Sequence, residues 1–441
     1  MSMVVKNNMS AVNTLNILNK NSSALSKSLQ KVSSGMKINS AADDASGYAI
    51  SERMRVQIRG LDQANQNTQN GNSMMKVAEG AVSSTVDILK TLKEKVINAA
   101  NDTNTDADRQ TIQKELDQSI DQIDDNANVT YNGKYLVDGS HNSKTTATTT
   151  ALTNESLDAK TVKTSALTNL KSRTGEELNI HSTDNVTVSY VKQGKTYTTT
   201  MSVGAKTLSD IIEKKAFNGK DSIEKALSFK EEKATSKIGI DGSGNKVYTA
   251  DNGCAMTLTA SKSGLDGQVA GFTISITTNT GAVNKSANAV LDAFSESIRA
   301  QNKSDDNSIV LQVGTKANQA IKVGLTDMRS NALGLKGSDG KTLNVSTQAK
   351  ANAAINVLDN AVQKALDQQT TIGSVESRLE YTSSNLTTAS ENVQSSESTI
   401  RDADMAKEMT EYTKNNVLLQ AAQSMLAQAN QSSSSVLSLL Q

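Results

Sequence analysis

Proline and tryptophan are both absent from this chain of 441 residues. An average chain holds about 5% proline. Proline inside a helix costs ~3 kcal/mol or more, so its absence suits long unbroken helices. Aromatic residues make up 3% of the chain and hydrophobic residues 36%. That supply builds thin cores of the kind helix pairs make, not one thick globular core. The one cysteine, Cys254, rules out an intramolecular disulfide framework. Charge of one sign is also lacking: 46 basic side chains balance 46 acidic ones, for a formal net charge of +0. A nucleic-acid binder needs a basic face to displace counterions, so the balance argues against that class. No apolar run is long enough to cross a bilayer. The stretch Met1–Met9 lacks the apolar region of a secretory signal peptide. The expectation is a cytoplasmic protein, or one exported by a route that reads something else.

Residues for chemistry are scarce as well. His141 and His181 are the only histidines and neither sits in a zinc-binding HExxH pattern. Cys254 has no neighbouring motif that would lower a thiol pKa, and reads as a strand cysteine. Asp241-Gly-Ser-Gly-Asn245 resembles the start of a calcium loop. Lys246, however, stands where glycine is needed and Asn252 where the bidentate glutamate belongs. A hairpin turn is the better reading. Asp43 and Asp44 are adjacent and diverge on any regular backbone, so they read as turn or cap residues. Walker, GxSxG and GxGxxG loops are missing. No catalytic, cofactor or metal site is expected.

What the chain does have is period. Met75, Ala78, Val82, Thr85, Leu89, Leu92, Val96 and Ala99 alternate steps of three and four without a slip. Leu18, Leu25, Leu29, Val32 and Met36 follow the same spacing, with Ser22 as the polar member. Near the other end the series is Ile355, Leu358, Val362, Ala365, Gln369, Ile372, Glu376, Leu379, Ser383 and Leu386. It resumes as Leu418, Ala422, Met425, Ala429, Ser432, Val436 and Leu439. Sustained spacing of this kind predicts coiled-coil packing. A helix from Leu61 to Ala100 would be about 60 Å long. Asn101–Asp106 breaks the pattern, and Asp106 or Asp108 is the expected cap of a second helix through Ile112, Leu116, Ile120 and Ile123. An intramolecular bundle and an intermolecular one both fit the seams. Their polar members make the terminal segments marginal alone, which favours order supplied by neighbouring copies.

The middle of the chain is rich in Thr, Gly and Lys and predicts an α+β part. Val186–Val191 and Thr196–Met201 flank a hairpin turn. Thr207 with Asp210, and Asp221 with Glu224, read as capping-box helix starts. Further strands are expected at Ala255–Thr259 and Phe272–Thr277. One outer domain is the simplest reading, and two small ones the alternative. The fold class is mainly α with an α+β outer part. The chain goes out helical, makes a different, strand-bearing structure, and returns helical.

Two long motifs at opposite ends carry a family resemblance. Lys31-Val-Ser-Ser-Gly-Met-Lys-Ile-Asn-Ser-Ala-Ala-Asp-Asp-Ala-Ser-Gly-Tyr-Ala-Ile-Ser-Glu-Arg-Met-Arg55 and Gln57-Ile-Arg-Gly-Leu-Asp-Gln-Ala64 resemble the amino-terminal signature of bacterial flagellins. Glu397-Ser-Thr-Ile-Arg-Asp-Ala-Asp-Met-Ala406, Thr413-Lys-Asn-Asn416 and Met425-Leu-Ala-Gln-Ala-Asn430 resemble the carboxy-terminal one. Leu311-Gln-Val-Gly314, Asp327-Met-Arg329 and Ala332-Leu-Gly-Leu335 also look like this family. The likeness covers roughly 1–140 and 306–441.

The resemblance implies long antiparallel helices forming a terminal coiled coil and a helical core domain with a β-hairpin, with a β-rich variable outer domain, in five segments. These are an N-terminal coiled-coil arm (1–42), the first half of a helical core (43–140), a variable outer domain (141–305), the second half of the core (306–397) and a C-terminal arm (398–441). It implies a structural, non-enzymatic subunit of an extracellular motility filament, polymerised through Leu18, Leu25, Leu29, Val32, Leu418, Met425, Val436 and Leu439. The alternative within the family is a hook–filament junction protein. Implied partners are copies of itself, the flagellar type III export apparatus with an export chaperone, and hook-associated and cap proteins. No nucleic acid, membrane or cofactor is implied. Family members that activate Toll-like receptor 5 use a surface that aligns with Lys90, Thr91, Lys93, Glu94, Lys95, Ile112 and Glu115. Lys93, Glu94, Ile112 and Glu115 keep the pattern. Thr91 stands where activating members carry arginine and Lys95 where they carry leucine, which implies weak stimulation.

Overall fold

In the computed structural model the described residues are 8–212, 227–232, 236–249 and 255–439; for 227–232 and 433–439 only the backbone is described. Chain contacts divide into two compact units. One comprises Met1–Thr68, Gln312–Gln319 and Tyr381–Gln441, the other Gln69–Leu311 and Ala320–Glu380.

The predicted helices are present and longer than the spacing required. They are α1 (Met9–Ser34), α2 (Ala45–Ala100), α3 (Asp106–Ala127), α6 (Gln348–Arg401) and α7 (Met405–Leu439). At 56 residues, α2 runs about 84 Å, because no proline or C-capping glycine interrupts it. The series from Met75 to Ala99 is buried at every member. On α3, Leu116, Ile120 and Ile123 are buried in turn. The cap of α3 corrects the sequence reading. Thr105 is the N-cap, and Asp108 returns the bond: its carboxylate accepts from Thr105 N at 2.9 Å, while Asp108 N donates to Thr105 Oγ1 at 3.3 Å. The reciprocal pair satisfies two end N–H groups, which a lone aspartate would not do. Asp106 lies inside the first turn and pairs with Arg109 at 3.1 Å. On α6 the buried amide is Gln368, one residue from the expected Gln369. Its Oε1 accepts from Thr326 N and Thr326 Oγ1.

Within the second unit the middle of the chain forms two small antiparallel sheets around one apolar cluster. The hairpin is there, as β4 (Asn185–Lys192) and β5 (Lys195–Ser202), each one residue longer than expected at either end. It joins β10 (Val269–Thr277) in the order β10-β4-β5. Alternation sorts the faces. Val186, Val188, Tyr190, Ile274 and Ile276 are buried, while Thr198 and Thr200 are exposed. The second sheet runs β11 (Ser295–Ile298), β3 (Ala151–Asn154), β9 (Ala255–Ala260), β6 (Leu227–Glu232). Thr207 and Asp210 form the expected capping box at α4 (Leu208–Ile212). Asp241 makes the expected turn between β7 (Lys237–Ile240) and β8 (Lys246–Tyr248), accepting from Ser243 N and Asn245 N. The helix start at Asp221 and Glu224, and Cys254, lie outside the described residues.

The sheets sit directly on α6. At Gly271 a Cβ would come within 2.8 Å of Val357 Cγ2 and 3.3 Å of Ala353 O, so only glycine permits this approach. Asn360 Nδ2 donates to Ala270 O at 2.9 Å. Arg299 bridges Glu296 (3.3 Å) and Asp367 (2.7 Å). Burial raises the Glu296 carboxyl and pulls the Lys364 ammonium down to about 8. Asp292, largely withdrawn from water after α5 (Lys285–Leu291), is pushed up to about 6. A hairpin of β12 (Ile309–Gln312) and β13 (Ala320–Val323) leads the chain back toward α6.

Candidate assembly surface

In the first unit α1 and α7 run antiparallel. Asn8 bonds Ala429 O, Asn21 bonds Leu418 O, Ser28 accepts from Asn415 Nδ2, and Lys31 pairs with Glu408 at 3.5 Å. The shielded positions of α1 are Ala11, Thr14, Leu18, Asn21, Leu25, Ser28 and Val32. Those of α7 are Glu408, Tyr412, Asn415, Leu419, Ala422, Leu426 and Ala429. The seam thus keeps Leu18, Leu25, Val32, Ala422 and Ala429 from the sequence reading and departs from it at Ser22, Leu29, Leu418 and Met425. Ser22 and Leu29 give way to Asn21 and Ser28; Leu418 and Met425 give way to Leu419 and Leu426. The physical reason is that polar side chains hold this seam by hydrogen bonds. A spacing drawn mainly through apolar residues slips by one position onto the neighbouring stripe. The side chains of Val436 and Leu439 lie outside the described residues.

That neighbouring stripe is exposed. Leu15 and Leu29 on α1 stand in solvent, as do Leu418 and Met425 on α7; Val12, Met405 and Met409 are exposed on other faces of the two helices. Leu15, Ser22 and Leu29 are seven apart, as are Leu418, Met425 and Ser432, so each stripe is itself a helical ridge. Inside the pair the packing is thin: Ser28 is the one buried residue of α1, and Ala422 is buried on α7.

A joint ties α1 and α7 to the longer helices within the same unit. Gly35, at φ +71°, ends α1 in the left-handed conformation that favours glycine. The chain then pairs with the start of the return leg: Lys37 N donates to Arg401 O at 2.7 Å, and Ala403 N to Gly35 O at 2.9 Å. The Arg401 side chain is buried. Its Nη1 donates to Glu52 Oε1 at 2.6 Å, its Nε points to Met36 Sδ at 3.3 Å, and its guanidinium lies 5.5 Å from the Tyr48 ring centre. That bond to Arg401 holds the Glu52 carboxyl below its ordinary range. Arg55 meets Glu397 at 3.2 Å. Asp44 accepts from Ser46 N and Gly47 N at the start of α2, and Asp43 from Ser40 N and Asn39 N. Both acids are the turn and cap residues expected. Backbone N–H groups of Ser40 and Asn39 also hold the Asp43 carboxyl low. The role of Arg401 was not legible in spacing. The only signal was that it and Tyr48 both fall inside the two quoted motifs.

The candidate receptor residues lie in the second unit. Lys90, Thr91 and Glu94 are exposed on α2. Thr91 Oγ1 donates to Asp87 O, so its hydroxyl is turned onto its own helix. Lys93 pairs with Asp359, and Lys95 Nζ lies 2.9 Å from Glu115 Oε1. Ile112 is half-buried. Two of the residues aligned with the receptor surface, Lys95 and Glu115, are therefore each other's partners. Among the described residues no group of three or more His, Cys, Asp or Glu side chains is placed to hold a metal.

Paired terminal helices with a thin polar seam and an exposed apolar ridge are the geometry of a helical structural protein. Comparison with known proteins identifies the family. Residues 5–142 match the bacterial flagellin N-terminal helical region and residues 355–440 the C-terminal helical region, just over half of the chain. A flagellin of Clostridium tyrobutyricum is 35% identical over 436 residues, covering 97% of this chain and 99% of that protein. A flagellin of Bacillus subtilis is 30% identical, covering 99% and 100%. Among solved structures, flagellar hook associated protein-3 of Legionella pneumophila shares 14% identity, covers 78% of this chain and 97% of its own, and has a TM-score of 0.33. The chain belongs to the bacterial flagellin family, and it is a structural subunit of the flagellar filament.

Proposed function

We propose that the exposed ridges of α1 and α7 are the contacts through which successive copies build that filament. The observation that carries this reading is the pairing of a thin, polar intramolecular seam with exposed Leu15, Leu29, Leu418 and Met425 beside it. Large apolar side chains ranked along a helix are poorly placed in water and well placed against another copy. Contacts of this head-to-tail kind do not close and so extend into a helix. In this reading 1–42 and 398–441 form the inner coiled coil, 43–140 and 306–397 the helical core, and 141–305 the outward domain. The filament lies outside the cell and serves swimming. Among the described residues no helix is long and apolar enough to cross a membrane. The type III export apparatus and a chaperone deliver the chain unfolded, which suits a protein with one cysteine and no proline. Hook-associated and cap proteins meet it at the two ends of the polymer. Seeded growth followed by electron microscopy tests the reading. A filament subunit extends long tubes, and short caps alone would make it a junction protein.

The same reading makes the chain a weak stimulus of Toll-like receptor 5. Thr91 lacks the planar multi-donor head of arginine, and loss of such an anchor costs ~2 kcal/mol or more. The Lys95–Glu115 pair occupies both of its members, though an exposed pair of this kind contributes only ~0–1 kcal/mol. A reporter-cell assay should show potency about thirtyfold below an activating flagellin. Thr91→Arg with Lys95→Leu should recover part of it. Full potency in the unaltered chain would remove the idea.

A further inference from the structure

We propose that the methionines of the terminal helices form an oxidation-sensitive gate on assembly: their sulfoxides keep the free subunit out of the filament, and incorporation protects them. The proposal rests on the assembly reading above. Its own observation is a segregation by position. Every methionine of α1 and α7 is exposed: Met9 at 62%, Met405 at 43%, Met409 at 46% and Met425 at 62%. In the second unit Met74, Met75, Met256 and Met328 are all buried and Met201 is half-buried. An oxidant in solution therefore meets the terminal helices first, on the ridge at Met425 and on other faces at Met9, Met405 and Met409. Met425 stands on the ridge seven residues from Leu418, so its change of polarity falls on the contact face; the other three fall on exposed apolar side chains of the same two helices.

The chemistry needs only a peroxide. The thioether sulfur attacks one oxygen of hydrogen peroxide and the O–O bond breaks. A sulfur–oxygen bond forms and water leaves with the second oxygen; sulfur is oxidised by two electrons and peroxide reduced. The flexible apolar side chain becomes a polar one with a strong acceptor. Methionine suits an irregular contact between copies because it adapts its shape. Its sulfoxide has no donor to meet inside such a contact, and a buried acceptor left unpaired is costly. Once a copy is incorporated, the same sulfurs are covered. Sulfoxide reductases reverse the change, so the gate is reversible.

The test treats purified monomer with hydrogen peroxide and maps oxidation by peptide mass spectrometry. Met9, Met405, Met409 and Met425 should oxidise ~10-fold or more faster than the four buried methionines. Seeded elongation of the treated monomer should then fall ~10-fold or more. A chain carrying Met9→Leu, Met405→Leu, Met409→Leu and Met425→Leu keeps side-chain volume; it should elongate normally and ignore peroxide. A Cys254→Ser chain should respond as the unaltered one does, which excludes the thiol. Unchanged elongation of fully oxidised monomer, or equal sensitivity in the leucine chain, would overturn the gate. Oxidation of these sulfurs at the same rate in finished filaments would instead overturn the assembly reading beneath it.

Discussion

Deleting residues 420–441 abolishes seeded filament growth and leaves a folded monomer. The deletion removes Ala422, Leu426 and Ala429 from the seam and Met425 from the exposed ridge. It also removes the partner of Asn8. The first half of α1 is then a short amphipathic helix facing water, and helices of about 12–15 residues are marginal alone. The second unit holds its own apolar cluster and does not draw on the deleted residues. Its melting should therefore change little, while elongation falls by ~100-fold or more. That factor corresponds to ~3 kcal/mol of lost contact between copies, about what one or two buried leucines supply. Normal filaments from the truncated chain would show that the terminal pair is dispensable. Loss of the monomer's cooperative melting would show that the deletion reaches further than the seam.

The long helices were legible because their apolar period is unbroken. Met75 through Ala99 could be read residue by residue, and every one is buried. The hairpin at Lys192–Lys195 was legible because Gln193 and Gly194 form the only turn between two alternating strands. The terminal pair was read correctly as helical, in register at Leu18, Leu25, Val32, Ala422 and Ala429 and one residue off at Ser22, Leu29, Leu418 and Met425. Its seam uses Asn21, Ser28 and Asn415, whose bonds across the pair cannot be seen in a hydrophobic pattern. The cap at Thr105 was missed by one residue for a related reason: an aspartate and a threonine three apart serve each other. Least legible was the joint. Arg401 meets Glu52 across 349 residues of sequence, and no local rule relates positions so far apart. The buried charges under the outer sheets, Glu296 and Lys364, are long-range in the same way. The family motifs marked the joint as special, but only the folded arrangement of Arg401, Glu52 and Tyr48 shows why.

The central claim is that the ridge beside the seam, rather than the seam itself, joins one copy to the next. Charge placed on the ridge tests it most directly. Leu29 is 51% exposed and Leu418 is 43% exposed in the single chain. A glutamate there keeps helix propensity, and a surface change of this kind shifts monomer stability by no more than ~0.5 kcal/mol. In a filament that buries the ridge, each site loses the burial of a leucine, ~1.5–3 kcal/mol, and must also accommodate an unpaired carboxylate. Seeded elongation of the Leu29→Glu, Leu418→Glu chain, measured with the melting of the monomer, is the deciding measurement. The account predicts unchanged melting and elongation slowed ~100-fold or more. Elongation at the unaltered rate would place the contacts between copies elsewhere and contradict it.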